Sequence, residues 1–154
     1  MSDIKIYWDA ANGRGDWQLL ANDISTGDDL ETALLFSVFS DREAASDDVI
    51  PDGSNDRRGW WGDDGSDSDT RLTGSRLWLL ARRKAPEDST LQDCYDYIVE
   101  AIQWLIDDGV VARFDVTVQW QQLGTRKNMI GSSIVAWPPD GSAARIYNWA
   151  WGTN

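Results

Sequence analysis

Residues 90–121 read TLQDCYDYIVEAIQWLIDDGVVARFDVTVQWQ, and a change of period inside this stretch decides the fold. Leu91, Cys94, Tyr95, Ile98, Ile102, Leu105 and Ile106 recur at helical spacing and predict a helix over 90–108 with one apolar stripe. Asp93, Asp96, Glu100, Gln103 and Asp107 fall on its solvated side. Gly109 supplies the left-handed residue that stops a helix. From Phe114 the period drops to two. Phe114, Val116, Val118 and Trp120 alternate with Asp115, Thr117, Gln119 and Gln121, the mark of a strand buried on one face.

Toward the C-terminus, 129–137 and 143–151 read as two further strands, joined by the turn Pro138-Pro139-Asp140-Gly141. Tyr147, Trp149 and Trp151 share one face of the last strand. Toward the N-terminus, Pro86 precedes the long helix, and 75–83 predicts a short helix capped by Ser75, with Arg82, Arg83 and Lys84 at its end. Residues 46–73 lack apolar periodicity and predict a long acidic loop, a kind of segment usually tied to function. A helix starts at Asp28, which with Glu31 forms a capping-box pattern, and runs to about residue 41 or 44; Leu30, Ala33, Leu34 and Val38 make its apolar face. Ile4, Ile6 and Trp8 suggest a first strand, 12–16 a turn, and Trp17 to Leu20 a second extended piece. The expected fold is α+β, a single domain over 1–154, with two to three helices packed on a mainly antiparallel C-terminal sheet at 113–151.

Composition removes several functions. The 154 residues carry a net charge of −12, and all the excess acid lies in residues 1–69, which hold 17 acids and 5 bases. No basic stripe exists to displace counterions from nucleic acid phosphates. No apolar run reaches the roughly 20 residues that cross a bilayer, and MSDIKIYWDA has no signal-peptide pattern, so a cytosolic origin is expected. With no histidine and one cysteine, a zinc site is not expected. Cys94 sits within the helical stripe and reads as a buried thiol. The run Asp63-Asp64-Gly65-Ser66-Asp67-Ser68-Asp69 imitates a calcium loop, but its glycine comes third and no glutamate closes it. Only four glutamates are present: Glu31 fits a cap and Glu100 a solvated face, which leaves no evident acid pair for glycoside hydrolysis. No catalytic, cofactor-binding or metal-binding residue is nominated.

Residues 51–84, PDGSNDRRGWWGDDGSDSDTRLTGSRLWLLARRK, set paired tryptophans between paired arginines and a run of aspartates. Of the ten tryptophans, Trp8, Trp78, Trp104 and Trp120 occupy in-pattern apolar positions and read as core. For Trp60, Trp61, Trp137, Trp149 and Trp151 three readings stay open: a protein interface, where tryptophan and arginine are enriched, local core, or a sugar-stacking face. The last strand has neither lysine nor proline from Tyr147 onward, so it reads as an unblunted edge able to pair with another chain. Removing 143–154 is expected to leave a folded protein.

DDLETALLFSVFSDREA at 28–44, then DDVIPDG at 47–53, DRRGWWGD at 56–63, GSRLWLLARRK at 74–84 and YDYIVEAIQWLIDDGVVARFDV at 95–116 resemble, in this order, the small baseplate protein of Mu-type contractile phage tails. That family is similar to the short wedge protein, or sheath initiator, of larger contractile tails and injection machines. The resemblance implies a non-enzymatic structural part of the virion, assembled in the host cytoplasm. Such a part is set in six-fold arrangement around the tube, and its implied partners are baseplate wedge proteins, the first ring of sheath subunits, and tail tube or hub proteins. It implies that sheath assembly is templated by inter-subunit strand addition, with Ile146, Tyr147, Trp149 and Trp151 as the pairing strand. Wedge contact would fall to Arg57, Arg58, Trp60 and Trp61. It would also fall to Asp108 and Arg113, which flank the turn where the larger-tail relatives carry a Glu-Pro-Arg motif that this sequence lacks. Neither a cofactor nor a metal is implied. Two rivals remain: a tail-associated carbohydrate-binding or cell-wall-cleaving, lysozyme-like protein, and an acidic mimic of DNA.

Overall fold

The computed structural model describes residues 4–17, 19–20, 23–24, 29–63, 71–81 and 88–152. The switch from helical to alternating period falls where the sequence places it. Helix α2 spans Asp88–Asp107, and strand β5, Arg113–Leu123, alternates between exposed and half-buried residues along its first nine positions. Three hydrogen bonds close the corner between them, from the amides of Gly109, Val110 and Val111 to the carbonyls of Ile106 and Leu105. Gly109 takes φ +71°, as a helix stop requires.

Strands β6 (Arg126–Trp137) and β7 (Arg145–Gly152) complete an antiparallel sheet in the order β5-β6-β7. Its register aligns Phe114, Ala136 and Arg145 in one row, and Val116, Ile134 and Tyr147 in the next. Val118, Ser132 and Trp149 follow, then Trp120, Ile130 and Trp151. These rows face the helices. Helix α1, Asp29–Phe39, sends in Leu34, Leu35 and Val38, while α2 sends in Cys94, Ile98, Ile102 and Leu105; all join one core with Ile130, Ile134, Tyr147 and Trp149. Each such side chain contributes roughly 1.5–3 kcal/mol on burial. The opposite sheet face carries Asp115, Thr117, Gln119, Ile146 and Asn148, all exposed. This is the α+β arrangement, with helices layered on a C-terminal antiparallel sheet.

The N-terminal part forms a hairpin of β1 (Ile6–Asp9) and β2 (Arg14–Trp17), followed by the short pair β3 (Leu19–Leu20) and β4 (Asp23–Ile24). The turn is therefore tighter and earlier than 12–16. Asp9 nucleates it by accepting the amides of Ala11 and Asn12 and the Asn12 side chain. The Asn12 side-chain bond chiefly holds the Asp9 carboxyl below its usual range.

Several expectations are corrected. The 75–83 helix is a four-residue 3-10 turn, Leu77–Leu80. Ser75 does not simply cap it, because its hydroxyl donates to the Val38 carbonyl while accepting the Leu77 amide. Tyr95 lies outside the buried stripe and is 39% exposed; Thr90 and Ala101 are buried instead. Glu100 is not a solvated charge but holds Arg76 and Arg42. Tyr147 and Trp149, each 6% exposed, are core residues, so removal of 143–154 would strip the core rather than leave it folded. The proposed cap Asp28, the bases Arg82, Arg83 and Lys84, and most of the 63–69 acidic run lie outside the described residues; Glu31 pairs with Lys5 at 3.2 Å.

Candidate protein-docking site

Three surfaces gather the residues singled out by sequence. The first is the free flank of β7. As the outer strand of its sheet, β7 bonds to β6 on one side only. The Trp8 indole donates to the Ala150 carbonyl at 2.9 Å. In a strand, successive residues point their main-chain groups to alternate sides. The Trp137 carbonyl accepts the Ala112 amide on the β5 side, so Ala136 turns toward β7 and its partner Arg145 toward β6, which leaves Ile146, Asn148 and Ala150 facing away from β6. Trp8 is held in place by stacking on Phe39, 3.9 Å between ring centres, and Phe39 meets Trp149 and Trp151 edge-on. The edge is thus blunted at one point by a residue from the other end of the chain, a device that the search for lysine or proline overlooks. Side chains divide sharply along this strand. Tyr147 and Trp149 are buried, Trp151 is half-buried, and Ile146 is 63% exposed on the outer face.

The second surface is the DRRGWW turn. It is built from side-chain bonds two residues long: Asp52 to the Ser54 amide, Ser54 to the Asp56 amide, and Asp56 to the Arg58 amide. Such bonds replace periodic structure. Arg58, at φ +53°, carries its guanidinium to Asp41 at 2.7 Å and over the Trp78 ring at 4.5 Å. Arg57 donates to the Ala44 carbonyl at 3.2 Å. Both arginines therefore fold back onto neighbouring parts of the chain and fix the turn, Arg57 half-buried and Arg58 at the surface. The tryptophans turn outward. Trp60 meets Phe36 edge-on at 5.6 Å and Trp61 at 5.3 Å, and Trp61 is 79% exposed. A Cβ at Gly62 would lie 2.0 Å from the Trp60 ring, so any larger residue there must push that ring aside. Phe36, Trp60 and Trp61 make one apolar patch; the Phe36 contribution is missing from the sequence reading, because Phe36 falls off the apolar stripe of α1.

The third surface is the α2–β5 corner. Asp108 and Arg113 flank it but do not meet. Asp108 takes both guanidinium nitrogens of Arg71 at 3.2 Å, and Arg71 lies over Trp104. Arg113 pairs with Asp115 at 3.2 Å and lies 4.3 Å from the centre of the Trp137 ring, whose indole also donates to Asp115. The Arg113–Asp115 pairing was readable as two residues on one strand face; the Arg71–Asp108 pairing spans 37 residues and was not.

No group of three potential metal ligands occurs among the described residues. Cys94 is buried, and burial pushes its thiol up to about 12. No described helix is long and apolar enough to cross a membrane.

An outer strand whose far side meets only the Trp8 indole among the described contacts, together with an exposed aromatic patch, has the build of a docking surface, and the comparisons point to the same class of protein. The chain belongs to the family of phage protein GP46, whose model matches residues 30–143, a family of Mu-type phage baseplate proteins. It is 43% identical over 142 residues to the baseplate protein gp46 of Escherichia phage Mu, covering 92% of this chain and 91% of that protein. It is 36% identical over 143 residues to the Mu-like prophage FluMu protein gp46 of Haemophilus influenzae, with the same coverage of 92% and 91%.

Proposed function

We propose that this chain is a non-enzymatic structural protein of the baseplate in a Mu-like contractile phage tail. In this reading it resides in the virion, after assembly in the host cytoplasm, as one of six copies around the tail tube. Relatives that share its length and over a third of its residues support the baseplate assignment. The aromatic patch of Phe36, Trp60 and Trp61 and the α2–β5 corner meet wedge proteins. The open flank of β7 accepts a strand from the first ring of sheath subunits and so starts the sheath.

The observation that carries the sheath role is that β7 has β6 on one side and, on the other, only the Trp8 indole at Ala150 among the described contacts. Main-chain ladder bonds then supply affinity with little demand on side chains. A rival sugar platform needs coplanar exposed rings. Trp60 and Trp61 are tilted by 43°, Arg113 lies over Trp137, and Trp149 is in the core.

The test is Asn148→Pro, which removes an outward amide while leaving the ladder to β6, since proline is tolerated on the free side of an edge strand. Ile146→Lys is a second block on the same edge. Both proteins should fold, by circular dichroism, and join baseplates, yet the tails should lack sheath by electron microscopy. Sheaths of normal length on both variants would exclude strand addition at β7.

A further inference from the structure

Where the flank of β7 ends, a groove begins. It encloses about 1090 Å³ between the N-terminal hairpin turn and the tip of the β5–β6 hairpin. Trp8, Phe39 and Trp151 line it with aromatic surface, and Arg14, Arg126 and Lys127 stand among its walls. Arg14 is paired with Asp16. The groove's acid Asp41 is held by Arg58. Arg126 and Lys127, both exposed, have no acidic partner within 4 Å among the described residues. A chain of net charge −12 thus places two uncompensated cations beside an aromatic trough that continues the line of its open strand.

We propose that this groove selects the partner of β7: an extended protein segment from another chain, with acidic residues where it leaves the ladder. The proposal rests on the strand-addition reading and adds to it what the incoming segment must carry. An added strand pairs along Ile146 and Asn148. At Ala150 the Trp8 indole occupies the next carbonyl, so the segment departs there into the groove. Its carboxylates then meet Arg126 and Lys127, and an apolar side chain rests on Trp8 and Trp151. Attraction over this distance is felt within a Debye length of about 8 Å at physiological salt. The general field of the protein acts the other way, repelling acidic segments. Preference for an acidic segment is therefore local in origin.

The experiment uses the full chain and three nine-residue peptides, each with five alternating valines and threonines at its centre. One has two glutamates at each end, the second two lysines at each end, and the third repeats the first with alternate amides N-methylated. Isothermal titration calorimetry at low salt should give the glutamate peptide at least ten-fold tighter binding than the lysine peptide. Arg126→Glu combined with Lys127→Glu should invert that order, with the fold checked by circular dichroism. Equal binding, preference for lysine, or no binding of either peptide overturns the groove assignment. The methylated peptide separates the two readings. If it fails to bind while charge makes no difference, strand addition stands and the groove falls. If it binds like its parent and the charge preference holds, the groove stands and strand addition falls.

Discussion

The α2–β7 region and the paired stretches 40–63 and 71–81 are held together in different ways. In the first, apolar residues recur at fixed spacing and pack as rows: Cys94, Ile98, Ile102 and Leu105 over Ile130, Ile134, Tyr147 and Trp149. In the second, single polar contacts carry the structure. Ser75 bonds Val38 and Leu77, the Trp78 indole donates to the Arg42 carbonyl, and Asp63 accepts the amide and hydroxyl of Thr73. Arg76 forks to Asp48 and Glu100 at 3.0 Å each while lying over Tyr97. Burial opposes the Arg76 charge, but its bonds to Asp48 and Glu100 outweigh that and raise its pKa. Periodic packing shares its energy among many similar contacts, whereas the polar stretch depends on a few that nothing replaces.

The contrast is sharpest in what a single truncation costs. Ile98→Ala empties a fully buried site and should destabilise the protein by about 2–5 kcal/mol in urea denaturation. Tyr95→Ala, three positions earlier on the exposed side, should fall within about 0.5 kcal/mol. Comparable losses at both would mean that α2 is not held by one stripe.

In the polar stretch, Arg76→Ala leaves two partly buried carboxylates without their shared cation and should cost about 1.5–3 kcal/mol. Arg76→Lys should recover little, because one ammonium cannot present the fork that meets both acids. Amide exchange should quicken around residues 42–48 and 75–80 while α2 stays protected; uniform exchange across the molecule would erase the distinction between the two regions.

The smallest effect at neutral pH concerns Cys94. Its folded thiol titrates at about 12 against an ordinary 9.0, so its contribution is complete below pH 9 and is lost as pH rises from 9 to 12. Measured between those limits, stability of the parent should fall more steeply than that of Cys94→Ala. Parallel slopes would place the thiol in water.

Much of the regular half was legible in the sequence, because burial on one face writes a period into it: the 90–108 helix, the alternation from Phe114 and the last two strands all stand close to where spacing puts them. The candidate docking residues were less legible. The pairing of Trp61 with an exposed surface could be inferred, but the folding back of Arg57 and Arg58 could not, since nothing local signals Asp41 or Ala44 as their partners. For Trp149 the structure selects local core from the three readings left open, and Tyr147 joins it there; alternation reveals that residues share a face and is silent on which face the helices cover. The Trp8 contact joins positions 142 residues apart, beyond the reach of any local pattern.

That last contact also fixes an order of events during synthesis. Trp8 leaves the ribosome 142 residues ahead of Ala150, whose carbonyl it caps. Until then the aromatic ring set of Phe39 and Trp8 has no Trp149 or Trp151 to meet, and the β5–β6 hairpin lacks its third strand. A chain in which residues 145–152 have yet to emerge therefore has no β7 flank to offer, and its Trp8 indole has no strand to cap.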